Sequence, residues 1–268
     1  VSLPYHALLK THRNGLLDYA LDRAHDNPNP ASRPPGGEQL VESGWFVRLP
    51  ARVERRFAPP ALGRFFRYGT HADGSCFFHS IAAAMGERVL IPDSHHKGSY
   101  REVSYHDASA PNRRAAGLNL RKRIQVHFMT MAPEQWLDFW KARIPAYKIA
   151  HVPLLASLRD QISSSKAWVN VYSIVYIMVL LGVDFKFFDM DGNQLFCGVT
   201  NRTMENPPVI LIMWVNRSHF EPLIQCHTHA NGRRVLNGVY QPDSDIVRHV
   251  NSLYQHGCAL TPLGRVIG

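Results

Sequence analysis

Across 268 residues, 45% are hydrophobic and 19% charged, which excludes a disordered chain and allows one large domain with extensions or two small ones. Thirty Lys and Arg against 21 Asp and Glu leave a net charge of +9, a balance that favours acidic partners, nucleic acid and anionic lipid included. The four cysteines, Cys76, Cys197, Cys226 and Cys258, contain no Cys-x-x-Cys pair; they exclude a disulfide framework and fit a reducing intracellular compartment, cytoplasmic or nuclear.

The chain opens on Val1 with no charged-then-apolar leader, as expected of a processed or trimmed product. Residues 8–25 carry Leu9, Leu16, Leu17, Ala20, Leu21 and Ala24 near helical spacing, which predicts an amphipathic helix. The Pro- and Gly-rich segment 27–37 cannot continue it and reads as a linker. Residues 45–68, apolar and basic with Pro50, Pro59 and Pro60, suggest short elements wrapped on a main domain. Asp73-Gly74-Ser75-Cys76 is a small-residue turn, and 77–85 reads as a helix ending at Gly86. The polar, His-, Ser- and Tyr-rich stretch 89–111 suggests an irregular excursion. Helices are predicted over 118–131 and from Pro133 through Trp140, proline suiting a first helical turn.

The apolar run 168–183 includes Asn170 and Ser173, falls short of the ~20 residues a membrane span needs, and breaks at Gly182. A buried core helix over 168–181 is the better reading. Strands are predicted over 183–188 and 194–197 around an Asp191-Gly192 turn. Residues 209–214 form a continuous apolar run, the pattern of a strand covered on both faces. Asn216-Arg217-Ser218 turns, and His219 opens a neighbouring strand. A last helix is predicted over 243–254, with Ile246, Val247, Val250 and Leu253 on one face.

Cys76 sits between a glycine turn and a helix start. There the helix dipole favours a thiolate, and free backbone N–H groups can receive an oxyanion. Gly74 lets the backbone approach a substrate carbonyl. A plain buried cysteine is the alternative, since four residues alone are a weak signal. A thiol enzyme also needs a base, and His219, after an apolar strand and a turn, would stand on a rigid element.

The segment Asp73-Gly74-Ser75-Cys76-Phe77-Phe78-His79-Ser80-Ile81 resembles the cysteine box of ovarian-tumour (OTU) cysteine proteases, and Asn216-Arg217-Ser218-His219-Phe220-Glu221-Pro222-Leu223 resembles their histidine box. The likeness extends over about residues 68–225. It implies an α+β fold of the papain-like cysteine protease class, an OTU fold with a small central twisted sheet flanked by helical lobes. It implies a nucleophile at Cys76, a base at His219 and an active-site acid at Asp73, with an oxyanion hole from the backbone of Gly74, Ser75 and Cys76. The family's usual Asn or Asp two residues after the histidine is Glu221 here, so Glu221 and Asn216 stand beside Asp73 as candidates to orient the imidazole. The implied activity is deubiquitination, with ubiquitin, polyubiquitin or a ubiquitin-like modifier as partner and no cofactor. The Glu-Pro-Leu after the histidine, the excursion and the basic extensions resemble OTU-like proteins of viruses and other pathogens. The expected organisation is an N-terminal helical extension and linker over 1–40, a protease domain over 41–226 and a C-terminal extension over 227–268.

Arg48, Arg52, Arg55, Arg56, Arg64 and Arg67 form one basic cluster, with Glu54 nearby, and Arg113, Arg114, Arg121, Lys122 and Arg123 form another. Both read as solvated faces; a nucleic-acid groove is the alternative, but no nucleic-acid motif accompanies the charge. Cys226, His227 and His229, and the pair His95-His96, lack the spacing of a zinc site, so no metal is expected. Phe65, Phe66, Phe77 and Phe78 are expected in the core, with Tyr68 or Phe220 as candidates to line a substrate channel. Two other functions remain open: a ubiquitin-binding module without activity, suggested by Glu221, and a basic nucleic-acid-binding protein on the same scaffold.

Overall fold

The computed structural model describes residues 40–41, 43–57, 62–92, 99–143, 146–164, 169–195, 205–216, 218–228 and 234–253. The predicted helix at 8–25, the linker at 27–37, Cys197, Cys258, His229 and the His95-His96 pair lie outside them.

In chain order, Phe46–Arg48 (β1) leads through Ala51–Phe57 (α1) to Arg64–Tyr68 (β2), and Cys76–Ala84 (α2) follows. Arg88–Pro92 (β3) and Tyr100–Ser104 (β4) pair with each other. A helical run comes next: Ala110–Met129 (α3), Pro133–Lys141 (α4), Ala146–Ile149 (α5), Leu155–Ser163 (α6) and Val171–Leu181 (α7). The last part holds Asp184–Phe188 (β5), Gln194–Leu195 (β6), Val209–Val215 (β7), His219–Thr228 (β8), Arg234–Asn237 (β9), Val239–Tyr240 (β10) and Asp245–Leu253 (α8).

The main sheet runs β1-β2-β8-β7-β5-β6, with β9 added to β8 and β10 to β7. Pairing is antiparallel except between β5 and β7. The result is a mixed α and β architecture with a central sheet and helices packed against it. Alternation along β7 explains its unbroken apolar sequence. Ile210 and Ile212 join the core built with Phe77, Ile81, Ile177 and Phe220, while Leu211, Met213 and Val215 join a second core with Phe57, Phe188, Leu223 and Val250. A strand covered on both faces has no position left for a polar side chain.

Asn170 caps α7, its side chain accepting the Ser173 N–H at 2.9 Å, and Gly182 ends the helix in the left-handed conformation with φ 67°. Among the described residues, no helix is long and apolar enough to cross a membrane.

Several expectations are corrected. The excursion over 89–111 contains the β3–β4 hairpin, whose register pairs Val89 with Val103. Successive residues Tyr100, Arg101 and Glu102 of β4 are exposed and apolar Leu90 of β3 is exposed beside buried Val89, so the sequence carries little of the apolar alternation that marks a half-buried strand. Helix α3 begins at Ala110 rather than near 118, with Pro111 in its first turn. Residues 45–68 do not wrap the domain; β2 lies inside the sheet between β1 and β8. The boundary expected at 226 falls within β8, and residues 234–253 complete both sheet and core, with Ile246, Val247 and Val250 buried. Helix α6, which buries Leu155, Leu158 and Ile162, was not foreseen.

Candidate active site

Cys76 is the first residue of α2, and Gly74, with φ 75°, makes the sharp turn into it. The serine between them is held on two sides. The Ser75 N–H donates to Asp73 Oδ1 at 3.1 Å, and Arg121 donates to Ser75 Oγ at 2.9 Å and to the Gly74 carbonyl at 3.0 Å. The Ser75 N–H is therefore not an oxyanion donor in this arrangement, which leaves Gly74 and Cys76 of the three positions expected.

His219 opens β8 opposite Val215, beyond the left-handed residue Asn216, whose φ is 50°. Helix α2 lies against this strand. Ser80 Oγ bridges the Cys76 carbonyl and the Phe220 carbonyl, each at 2.8 Å, and the Phe77 and Phe220 rings meet edge to face with centroids 5.5 Å apart. The Phe220 backbone N–H lowers the Cys76 pKa against burial, which sets the thiol near the residue that follows His219.

The imidazole is held by Thr70, two residues past the end of β2. Thr70 Oγ1 gives its one proton to the Phe220 carbonyl at 2.8 Å, so toward His219 Nε2, 3.2 Å away, it can only accept. Nε2 then carries the hydrogen and Nδ1 is a bare lone pair. Nδ1 is buried and, among the described residues, has no hydrogen-bond partner. Burial, then Arg67 and His79, push the His219 pKa down to about 4, against Asp73.

Cys76 is only 1% exposed, and burial pushes its thiol up to about 11 even though the Phe220 and Phe77 N–H groups pull the other way. The thiolate favoured by a helix N-terminus is thus not the resting form, because desolvation outweighs the helix dipole. At neutral pH both groups rest uncharged, and no hydrogen bond joins the Cys76 thiol to His219.

None of the three candidates for the orienting residue hydrogen-bonds His219. Asp73 bonds elsewhere: His79 Nε2 lies 3.2 Å from Oδ1, and Arg114 Nε donates to Oδ2 at 3.0 Å. Burial raises the Asp73 carboxyl, but His79, Arg114 and the Ser75 N–H together hold it well below the usual range. Glu221 Oε1 comes within 3.9 Å of His219 Nε2, too far to bond, because Glu221 is drawn to Arg67 at 2.7 Å and to the Val41 N–H at 2.9 Å. Asn216 is exposed in the turn. Thr70 was missed, and nothing marks it in the sequence, since its role comes from β2 lying beside β8.

The remaining expectations divide. Phe65, Phe66, Phe77 and Phe78 are buried, and so are Tyr68 and Phe220. Cys76 and Cys226 are free thiols, and among the described residues no His, Cys, Asp or Glu cluster is built to hold a metal. The basic clusters are in part internal. Arg67 pairs with buried Glu221, Arg121 is buried, Arg123 pairs with Glu87, and Arg113 donates to the carbonyls of Ser43 and Ala108. An open cavity of about 670 Å³, lined by His71, Asp73, Arg114 and Leu118, borders the turn before Cys76, whereas one of about 840 Å³ lies between β3 and α3.

No family model matches the sequence, and no curated protein matches it. Among solved structures, "Structure of Ovarian Tumor (OTU) domain in complex with Ubiquitin" is similar over 80% of this chain and 91% of that chain, at 15% sequence identity and a TM-score of 0.40.

Proposed function

We propose that the chain is a cysteine-type deubiquitinase with an OTU-like, papain-class fold, in which Cys76 is the nucleophile and His219 the base. The observation that carries this reading is a helix-start thiol whose helix packs on Phe220, the residue after His219, while His219 Nδ1 is left without a partner and Nε2 is anchored on Thr70. The two motif boxes supply the substrate: the C-terminal glycine of ubiquitin or a ubiquitin-like modifier in (iso)peptide linkage. The Glu-Pro-Leu histidine box keeps a viral or other pathogen OTU-like protein within this reading.

His219 Nδ1 takes the Cys76 proton as the sulfur attacks the glycine carbonyl carbon. The N–H groups of Cys76 and Gly74 receive the oxyanion. Collapse breaks the C–N bond, and imidazolium returns the proton to the departing lysine amine. A water, deprotonated by the same nitrogen, then hydrolyses the thioester and frees Cys76. In this reading the modifier's tail approaches through the open cavity beside Asp73 and Arg114, which borders the turn before Cys76 but is not lined by Cys76 or His219. The neutral resting pair makes proton transfer part of the attack rather than a step before it.

A panel of diubiquitin linkages, incubated with wild type and Cys76→Ala, tests the reading. Cleavage of at least one linkage by wild type and of none by the variant is expected. Intact chains throughout, or equal cleavage by both, would overturn it. The buried thiol and the capture of Glu221 by Arg67 favour a second reading, a ubiquitin-binding module without turnover. That reading predicts binding of ubiquitin with every linkage left intact.

A further inference from the structure

Arg121, on α3, is a basic residue by sequence and a buried one in the fold, 3% exposed. Its guanidinium donates to three carbonyls at the end of α6. Nε reaches Ile162 O at 3.0 Å, and Nη2 reaches Gln161 O at 2.9 Å and Ser164 O. Those oxygens belong to the last turn of a helix, where carbonyls lack intrahelical partners and the dipole is negative. Nη1 of the same fork reaches Gly74 O and Ser75 Oγ. The group also lies over the Phe78 ring, 5.1 Å from its centroid.

The Gly74–Ser75 peptide is thereby fixed at both ends. Its C=O accepts from Arg121, and its N–H donates to Asp73. This unit immediately precedes the peptide that carries the Cys76 N–H and opens α2.

We propose that Arg121 is a positioning residue for the nucleophile, its fork tying the turn before Cys76 to the end of α6 and its charge standing where it favours a thiolate. Burial lowers the Arg121 pKa, and Asp73 and then Cys76 oppose that lowering, while the main influences on the thiol itself are burial and the Phe220 and Phe77 N–H groups, so the charge acts on the sulfur as a minor partner beside the fork. Lysine cannot replace the fork, because an ammonium has no planar set of five donors. The inference rests on Cys76 as nucleophile, but not on ubiquitin as substrate.

Two variants separate the charge from the fork. Alkylation of the full chain by iodoacetamide, mapped by peptide mass against pH, reads the Cys76 thiol without any modifier, with Cys226 as internal reference. Arg121→Gln is expected to move the Cys76 profile upward by a few tenths of a pH unit, so that alkylation at pH ~9 slows about twofold, with Cys226 unchanged. Arg121→Lys is expected to keep the wild-type profile but lower kcat on the cleaved linkage about tenfold with KM unchanged, because the peptide is no longer held. A wild-type profile in folded Arg121→Gln, or wild-type kcat in Arg121→Lys, would overturn the proposal. Should Arg121→Gln fail to fold, the kcat of Arg121→Lys decides. If wild type cleaves no chain, the deubiquitinase reading fails, and the alkylation profiles still decide the role of Arg121.

Discussion

Replacing Arg67 by methionine removes one half of a buried ion pair and keeps most of its volume. Arg67 Nε and Glu221 Oε2 are 2.7 Å apart, with side chains 2% and 0% exposed, so solvent screens neither charge. Burial alone raises the Glu221 carboxyl, and Arg67 is the largest influence against it. Leaving one charge of such a pair buried without its partner typically costs about 3–5 kcal/mol. In a domain of this size that lowers Tm by about 6–20 °C. The loss has a pH signature. In Arg67→Met the folded carboxyl holds its proton above the unfolded value, so stability is best preserved below pH ~4.3 and declines as pH rises through the folded pKa. Adding Glu221→Gln removes the stranded charge but keeps an acceptor for the Val41 N–H, and is expected to recover at least ~2 kcal/mol. Denaturant melts of the four proteins in the cycle at two pH values measure this. If Glu221→Gln adds a further loss on the Arg67→Met background, the pair is not coupled as the geometry requires.

Glu221→Gln alone is expected to leave kcat within about tenfold of wild type, since the carboxylate serves Arg67 and Val41 rather than His219. Thr70→Val removes the acceptor that fixes the His219 tautomer and is expected to lower kcat/KM by roughly 2- to 13-fold, read by steady-state cleavage. His219 is held at about 4 against an ordinary 6.5, so its stabilisation is complete above pH ~6.5 and is lost as pH falls toward 4. The stability difference between wild type and His219→Gln should shrink by about 3 kcal/mol between pH 7 and 4 in urea melts. A Cβ at Gly117, in the middle of α3, would fall within the His79 ring. Gly117→Ala is therefore expected to cost about 1–3 kcal/mol and, by displacing the partner of Asp73, to slow turnover as well.

The boxes around Cys76 and His219 were legible because local chemistry writes them: a left-handed glycine before a helix, and a buried strand leading into a turn. Helix α7 and strand β7 were legible for the same reason, as long apolar runs with clear ends. What the sequence hid was pairing across distance. Thr70 looks like any threonine until β2 lies beside β8, and Arg67 and Arg121 look like surface cations until Glu221 and the end of α6 receive them. Glu221 itself suggested a catalytic substitute, because its spacing from the histidine is visible and its partner is not. The lowered thiol pKa failed for a related reason: the helix start can be read locally, but the depth of burial is a property of the whole fold.

Ubiquitin carrying a C-terminal electrophile tests the central claim most directly, with the adduct located by peptide mass in wild type and His219→Ala. The account predicts a single adduct at Cys76 in wild type, formed at least ~100-fold more slowly without the imidazole. No adduct, an adduct at Cys226 instead, or equal labelling with and without His219 would contradict it.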